Sequence, residues 1–244
     1  MGIGGIGRAL MLAGVLLVLG GCASTRDFSS VKKLDAATPA AATPAEPHVL
    51  QLVVMPPDVE LSVLTAGGMT EPNAAWTQTA KSLLVDQLGG AEALRGKKLV
   101  RFEPPAAADP NGAVLNEIQH LHRAVGNAIV MHKLAVPLPT KKDRFDWSLG
   151  QEVAVLHDYA RADYALFIYV RDSYSSAGRI FTQIAAAALG VGLAGGQQAG
   201  FATLVDLGTG NVVWFNFLVD ATGDLRDASG AADTVKNLLH GMPQ

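Results

Sequence analysis

The chain has 244 residues, of which 49% are hydrophobic, and this is enough to build a folded domain with a substantial core. Its 19 basic and 22 acidic side chains are scattered along the chain and give a formal net charge of −3. This pattern argues against a nucleic-acid partner and against polybasic attraction to lipid head groups. The single cysteine excludes a disulfide within the chain, so the fold must depend on its core alone.

An apolar run precedes the single cysteine. Arg8 is followed by apolar residues over 9–19 and then by two glycines. A positive region, a short apolar core and small residues, in that order, are typical of a secretory signal. The run is too short for a spanning helix, which needs about 20 apolar residues. We therefore predict that residues 1–21 are a signal peptide that is removed.

The residues at the predicted cleavage point, Leu19-Gly20-Gly21-Cys22, resemble the lipobox of bacterial lipoproteins. The resemblance implies a diacylglyceryl thioether and an N-acyl chain on Cys22, and it implies no other cofactor. Ala23, where an aspartate would retain the protein at the inner membrane, implies the outer membrane and a domain that faces the periplasm. Several acyl chains anchor a protein firmly where one chain binds only marginally. The alternative is an ordinary signal peptide followed by a free thiol.

The segment after the cysteine has almost no large apolar residues, and Ala, Thr and Pro repeat toward its end. This composition predicts that residues 22–47 hold the lipid anchor and a linker. A Pro-rich linker of this length can hold the domain tens of ångströms from the membrane. Residues 48–244 are then the folded domain.

The first half of this domain alternates between predicted strands and helices. An aliphatic run predicts a buried strand over 49–55, and residues 56–72 are expected to form a long loop. Asn73 is a favourable N-cap for a helix that ends at residues 89–90. The next predicted elements are a strand over 99–102 and a helix over 112–132.

The second half begins with a short helix over 149–156 and an apolar strand over 163–170, which is expected at the centre of a sheet. After an apolar insert over 180–196, turn residues at 208–211 join two strands of a hairpin, and a helix over 228–240 follows. The order βαβααβ, insert, ββα predicts an α/β fold in which helices pack on a mixed sheet.

Two segments carry a family resemblance, ARADYALFIYVRD and LVDLGTGNVVWFN. They resemble strands of bacterial envelope lipoproteins whose domain is similar to the amino-terminal domain of the Tol translocation protein B and to the curli secretion lipoprotein. The resemblance implies an α/β domain that makes protein contacts or takes part in assembly in the periplasm. It brings no catalytic residues with it.

A cluster of polar residues follows the predicted central strand, at the end of a sheet where ligands often bind. We expect these residues to form a loop that binds a partner. They are Arg171, Asp172, Ser173, Tyr174 and Arg179.

Two weaker candidates lie elsewhere. Asp58 and Glu60 follow the first strand, and their alternation puts both carboxylates on one side, which suits either an acid/base pair or a solvated loop. His120 and His122 are two residues apart on a predicted helix and point about 200° away from each other. We therefore expect solvated histidines and no metal site.

The apolar insert over 180–196 has helical spacing, with Ile180, Ile184, Ala188 and Val191 on one side. Small residues on this face permit close approach of another backbone. Three interpretations are open: the helix packs within its own domain, it pairs with another subunit or partner protein, or it rests on the lipid surface.

The sequence thus predicts a lipid-anchored periplasmic module that binds envelope proteins and is not catalytic, with self-association left open. The alternative is a periplasmic hydrolase with a site near the loops after the strands at 49–55 and 163–170. An enzyme should show polar side chains that converge in one cleft, whereas a binding module should show an exposed apolar patch.

Overall fold

The computed structural model describes residues 24–30, 34, 50–141, 144–219 and 223–243. These residues form a mixed β-sheet with helices on both faces, and the predicted α/β fold with a mixed sheet is confirmed. The strands are β1 (Ser24–Ser29), β2 (Gln51–Val54), β3 (Asp58–Leu64), β4 (Thr70–Pro72), β5 (Lys98–Arg101), β6 (Tyr164–Ser175), β7 (Gln198–Asp206) and β8 (Val212–Val219). The helices are α1 (Ala74–Gly90), α2 (Gly112–Leu134), α3 (Ala154–Ala160), α4 (Ala177–Ala188) and α5 (Ala228–Leu238).

The sheet is built around β6, which was predicted to be its central strand. The strand order is β1-β8-β7-β6-β2-β5, and β3 pairs with the second half of β6 while β4 pairs with β3. β6 runs parallel to β2 and β3 and antiparallel to β7. Its first half is apolar and buried because a layer of helices covers each face.

Two core clusters lie on the two faces of the sheet. α1 and α5 pack on one face around Trp214, and α2 and α3 pack on the other around Phe167. Asn73 caps α1 as predicted, because its side-chain oxygen accepts a hydrogen bond from the Trp76 backbone N–H at 3.0 Å. The side-chain amide of the buried Asn216 donates to the last carbonyls of α5 and so ties that helix to β8.

The segment predicted as a long loop over 56–72 is instead an antiparallel hairpin of β3 and β4. Val59 and Leu61 are buried on one face, and Asp58 and Glu60, which alternate with them, are half-buried. This is the pattern of a strand that is covered on one face. The flanking prolines and glycines obscured that alternation in the sequence, and the loop prediction is wrong here.

A second difference lies inside the predicted linker. Ser24–Ser29 form β1, which pairs antiparallel with β8 from Ser24 opposite Val219 to Ser29 opposite Trp214. Backbone hydrogen bonds to the edge of β8 stabilise this strand, and they require no apolar side chains. The Ala/Thr/Pro-rich segment therefore connects two strands of the sheet, and for residues 24–29 the structure differs from the predicted linker.

Candidate binding surfaces

One end of the sheet carries a projecting helix. We call this end of the sheet, where β6 ends and β7 begins, the α4 end. Leaving β6, the chain forms α4, returns through residues 189–197 and enters β7. The Ser176 hydroxyl caps α4 by accepting from the Arg179 N–H at 3.1 Å, and the Ser176 N–H donates to the Leu64 carbonyl at 2.9 Å.

Polar side chains of α4 hold the returning segment in place. The Arg179 guanidinium donates twice to the Ala194 carbonyl, at 2.7 and 3.2 Å, and the Gln183 amide donates to the Leu193 carbonyl at 3.3 Å. Arg179 therefore stabilises the connection between β6 and β7, which consists of α4 and residues 189–197. Because the polar side of α4 is occupied in this way, its apolar side faces outward.

The apolar side of α4 is exposed. Phe181 is 73% exposed and Leu189, just after the helix, is 83% exposed. The predicted interface residues Ile180, Ile184, Ala188 and Val191 are exposed as well. No residue of α4 is buried, so the interpretation in which this helix packs within its own domain does not describe the fold.

The turn between β3 and β4 extends this surface. Gly68 lies beside the Arg179 guanidinium, since a Cβ there would be 3.3 Å from Nη1, and the exposed Met69 follows it. Sequence reasoning missed the proximity of this turn to Arg179 because it depends on the hairpin, for which the sequence predicted a loop. Within the described residues, no helix is long and apolar enough to cross a membrane.

The predicted binding loop is not a loop. Residues 171–175 are the second half of β6, so alternate side chains point to opposite faces of the sheet. Arg171 lies on one face with Tyr169, whereas Asp172 and Tyr174 belong to the other. The structure thus separates the predicted cluster into two sets of contacts.

Asp172 is the centre of the contacts on the face that it shares with Tyr174. Its carboxylate is buried and accepts from the Tyr174 hydroxyl at 2.6 Å and from the Gln198 amide at 2.8 Å. The same amide donates to the Gly223 carbonyl at 3.1 Å, and the Tyr174 oxygen accepts from the Leu225 N–H at 2.8 Å. These bonds fasten residues 223–225 to the sheet.

Burial changes the pKa of both titratable groups in this network, Asp172 and Tyr174. It raises the pKa of Asp172, and the hydrogen bonds from Tyr174 and Gln198 oppose that change. The pKa of Tyr174 is also raised, first by burial and then by the bond to Asp172, so the phenol keeps its proton. Tyr174 therefore acts as a hydrogen-bond donor here.

A small cleft of about 240 Å³ lies beside this network, between the end of β6 and residues 223–224. Ser173 and Ser175 line it, but both hydroxyls hold backbone groups: Ser173 contacts the Gln197 N–H and carbonyl, and Ser175 accepts from the Gly196 N–H. Arg226 covers the Tyr174 ring, with its guanidinium carbon 3.9 Å from the ring centroid.

The second set of contacts includes Asp58. Asp58 and Glu60 lie on the same side of β3, as their alternation predicted, although they belong to a strand. The Asp58 carboxylate accepts from Arg171 at 2.8 Å and lies 3.7 Å from Arg123. Arg171 also stacks on the Tyr169 ring. Asp58 is thus held between two arginines and joins β3, β6 and α2.

The two histidines of α2 differ in their surroundings. His120 is exposed beside Arg123, whereas His122 is buried, 2.9 Å from the Thr203 hydroxyl and stacked on the Phe167 ring. The expectation that both histidines are solvated is wrong for His122. Burial lowers its pKa to about 3, so the ring is neutral. The described residues contain no group of three or more His, Cys, Asp or Glu placed to hold a metal ion.

A large apolar groove lies at the carboxyl ends of β2 and β5. Its volume is about 550 Å³, within the range of known ligand sites. The polar residues among those that line it are Asp86, Arg101 and Glu103, and Arg101 pairs with Glu103 at 3.7 Å. Leu99 from β5 and Val85 from α1 lie on its two sides. Sequence reasoning missed this groove because it depends on how α1 lies against β5.

Comparisons with known proteins place few constraints on this chain. No family model matches it, and no curated protein matches it. The dodecamer of a variant of PelC from Paraburkholderia phytofirmans is 14% identical, with 90% of this chain and 97% of that chain covered and a TM-score of 0.36. A PelC dodecamer from the same organism in a second crystal form is 15% identical, with coverage of 90% and 96% and a TM-score of 0.35. Likeness at this level does not indicate a function.

Proposed function

We propose that this chain is a lipid-anchored module of the bacterial envelope that binds a partner protein and is not catalytic. The anchor is Cys22, which lies outside the described residues, and the domain faces the periplasm from the outer membrane. The observation that carries the proposal is the apolar groove beside the edge strand β5.

The groove has the chemistry of a site for an extended peptide. Among the described residues, β5 pairs on one side only, with β2, so its other edge presents backbone N–H and C=O groups. An added strand gains main-chain hydrogen bonds from such an edge and places alternate side chains in an adjacent pocket. Here that pocket is apolar, and Leu99 and Val85 are available to contact apolar side chains of the partner.

The hydrolase alternative has less support. Its strongest feature is Asp172, a carboxylate with a raised pKa beside a small cleft. An acid/base residue needs access to a substrate proton, but the side-chain partners of this carboxylate are Tyr174 and Gln198, which fasten a neighbouring segment. The serines of the cleft contact backbone groups in the same way. This arrangement fits a structural network better than a reaction centre.

A photocrosslinking experiment in intact cells tests the groove. A photoreactive residue at Val85, which is exposed on α1, should form adducts with a discrete partner protein. Adding Leu99→Asp should abolish them because it places a charge in the apolar groove. Leu121→Asp is the matched control, since Leu121 is 39% exposed, Leu99 is 40% exposed, and only Leu99 lines the groove. Equal loss with both variants, or no adduct from Val85, would show that the groove is not the binding surface.

Cell fractionation tests the anchor. The thioether can form only on a thiol, so Cys22→Ser should release the protein from the membrane fraction or leave its uncleaved precursor. A variant that is cleaved and remains membrane-bound like the wild type would contradict the lipid attachment.

A further inference from the structure

We propose that the exposed apolar side of α4 rests on the surface of the membrane that holds the acyl chains of Cys22. The contact surface consists of Ile180, Phe181, Ile184, Leu189 and Val191. This inference rests on the proposed lipid attachment and adds an orientation to it.

The register of the sheet puts the anchor and α4 at the same end. Ser24 lies opposite Val219, Val219 lies opposite Ala199, and Ala199 lies opposite Arg171. These three steps cross the sheet at about 4.8 Å each, so Ser24 is about 14 Å from β6, in the direction across the strands. β6 continues from Arg171 toward α4, while β1 runs the other way, toward Ser29.

The tether to the membrane is short. Only Ala23 lies between Cys22 and Ser24, so the two steps along the chain, at about 3.5 Å each, span at most about 7 Å. Because Ser24 is fixed in the sheet, acyl chains on Cys22 hold the α4 end close to the lipid. The end with the β7–β8 turn is then directed away from the membrane.

The amino-acid composition of α4 and of the segment that follows it suits a lipid surface. Between Ala177 and Gln198 the only charged residue is Arg179, and its guanidinium is bonded to the Ala194 carbonyl. A helix that presents apolar side chains on one side can lie in the interface with that side buried about 5–10 Å deep. At twelve residues the helix cannot span a bilayer, which needs about 20. It can rest on the membrane without crossing it.

The lipid also explains why this surface stays uncovered in the fold. The several acyl chains on Cys22 supply firm attachment, but a flexible lipid anchor does not by itself fix how the domain is oriented. The side chains around Phe181 provide apolar area next to the chains of Cys22 and so fix the orientation of the domain as well as its attachment. A partner protein or a second copy could also cover an apolar face, and the experiment separates these cases.

The test uses environment-sensitive fluorophores on the full-length lipidated protein. The chain has no thiol besides Cys22, so a dye attached to Phe181→Cys reports on α4 alone. Thr209→Cys, which is exposed in the β7–β8 turn, is the control. The probe membrane is a vesicle of phosphatidylethanolamine and phosphatidylglycerol with a doxyl-labelled lipid as quencher. Vesicle flotation independently reports attachment through Cys22.

We expect several-fold quenching at Phe181 and none at Thr209 in protein that floats with vesicles. Floating protein with no quenching at Phe181 would overturn the inference while leaving the lipid anchor intact. A spectral shift at Phe181 that depends on protein concentration and occurs without vesicles would assign the surface to a second copy, and it would also overturn the lipid contact. Protein that does not float would contradict the proposed anchor instead.

Discussion

His122 shows how burial changes the behaviour of a single side chain. Its imidazole lies between the Phe167 ring and the Thr203 hydroxyl, and burial lowers its pKa from 6.5 to about 3. Between these two values the unfolded chain binds more protons than the folded chain does. The free energy of unfolding should therefore fall as the pH is lowered through this range, by at most about 1.4 kcal/mol per pH unit from this residue.

His122→Gln tests this pH dependence. Glutamine does not titrate, yet its amide can still contact Thr203. Denaturant unfolding at neutral pH and at about pH 4.5 should show a smaller loss of stability in the variant than in the wild type. The same loss in both proteins would mean that His122 is accessible to protons in the folded state.

Gly126 tests the close packing of α2 on the sheet. A Cβ at this position would overlap a ring carbon of Phe201, which is itself buried between α2 and the sheet. Gly126→Ala should lower the free energy of unfolding, because overpacking costs about 1–3 kcal/mol and exceeds the gain of up to about 1 kcal/mol in helix propensity.

Gly89→Ala is the control for that substitution. Gly89 also lies in a helix, but a Cβ there would have no atom within 4 Å. Thermal unfolding should show this variant at least as stable as the wild type. Equal stability of the two variants would mean that α2 lies farther from β7 than described.

At the scale of elements, the contrast between α4 and α2 gives a direct prediction. Ile184 on α4 is 65% exposed and Ile129 on α2 is fully buried. Ile184→Ala should change the free energy of unfolding by no more than about 0.5 kcal/mol, whereas Ile129→Ala should cost about 2–5 kcal/mol. Chemical denaturation of both variants checks this. A large loss for Ile184→Ala would mean that α4 packs on its own domain.

Local patterns in the sequence predicted several elements well. Three examples are the aliphatic run at 49–55, the apolar first half of β6 and the β7–β8 hairpin. Each of them is specified by residues that are close neighbours in the sequence. The helical spacing of residues 180–191 likewise predicted the helix α4, but it left open whether the apolar side packs within the domain, and Phe181 was not assigned to that side. These features depend on period and turn chemistry alone.

Other elements depend on distant partners and could not be predicted locally. β1 has few apolar residues and exists because β8 offers an edge almost two hundred residues away in the chain. The second half of β6 is polar because Asp172 and Tyr174 form a hydrogen-bonded network with Gln198 that holds residues 223–225, so its sequence resembled a loop. The groove requires α1 to lie beside β5, which no local pattern specifies.

At the scale of the whole molecule, the register of β1 changes the relation between anchor and domain. The sequence suggested a spacer, but the Ala/Thr/Pro-rich segment starts and ends at strands of the sheet. If Cys22 carries the proposed lipid, a domain held in this way lies close to the membrane in a fixed orientation. The proposed attachment would then hold the groove beside β5 at a defined distance from the lipid.

The height of the β7–β8 turn above the membrane is the most direct test of the proposed orientation. The nine residues of β7 span about 30 Å at 3.3 Å per residue, so a dye at Thr209→Cys should lie about 30–40 Å above the membrane. Energy transfer from this dye to acceptors in the lipid surface measures the height in vesicle-bound, lipidated protein. A height near 30–40 Å is the predicted result. A height beyond about 60 Å, as an extended Pro-rich spacer of about 25 residues at 3.1 Å each would allow, would contradict it.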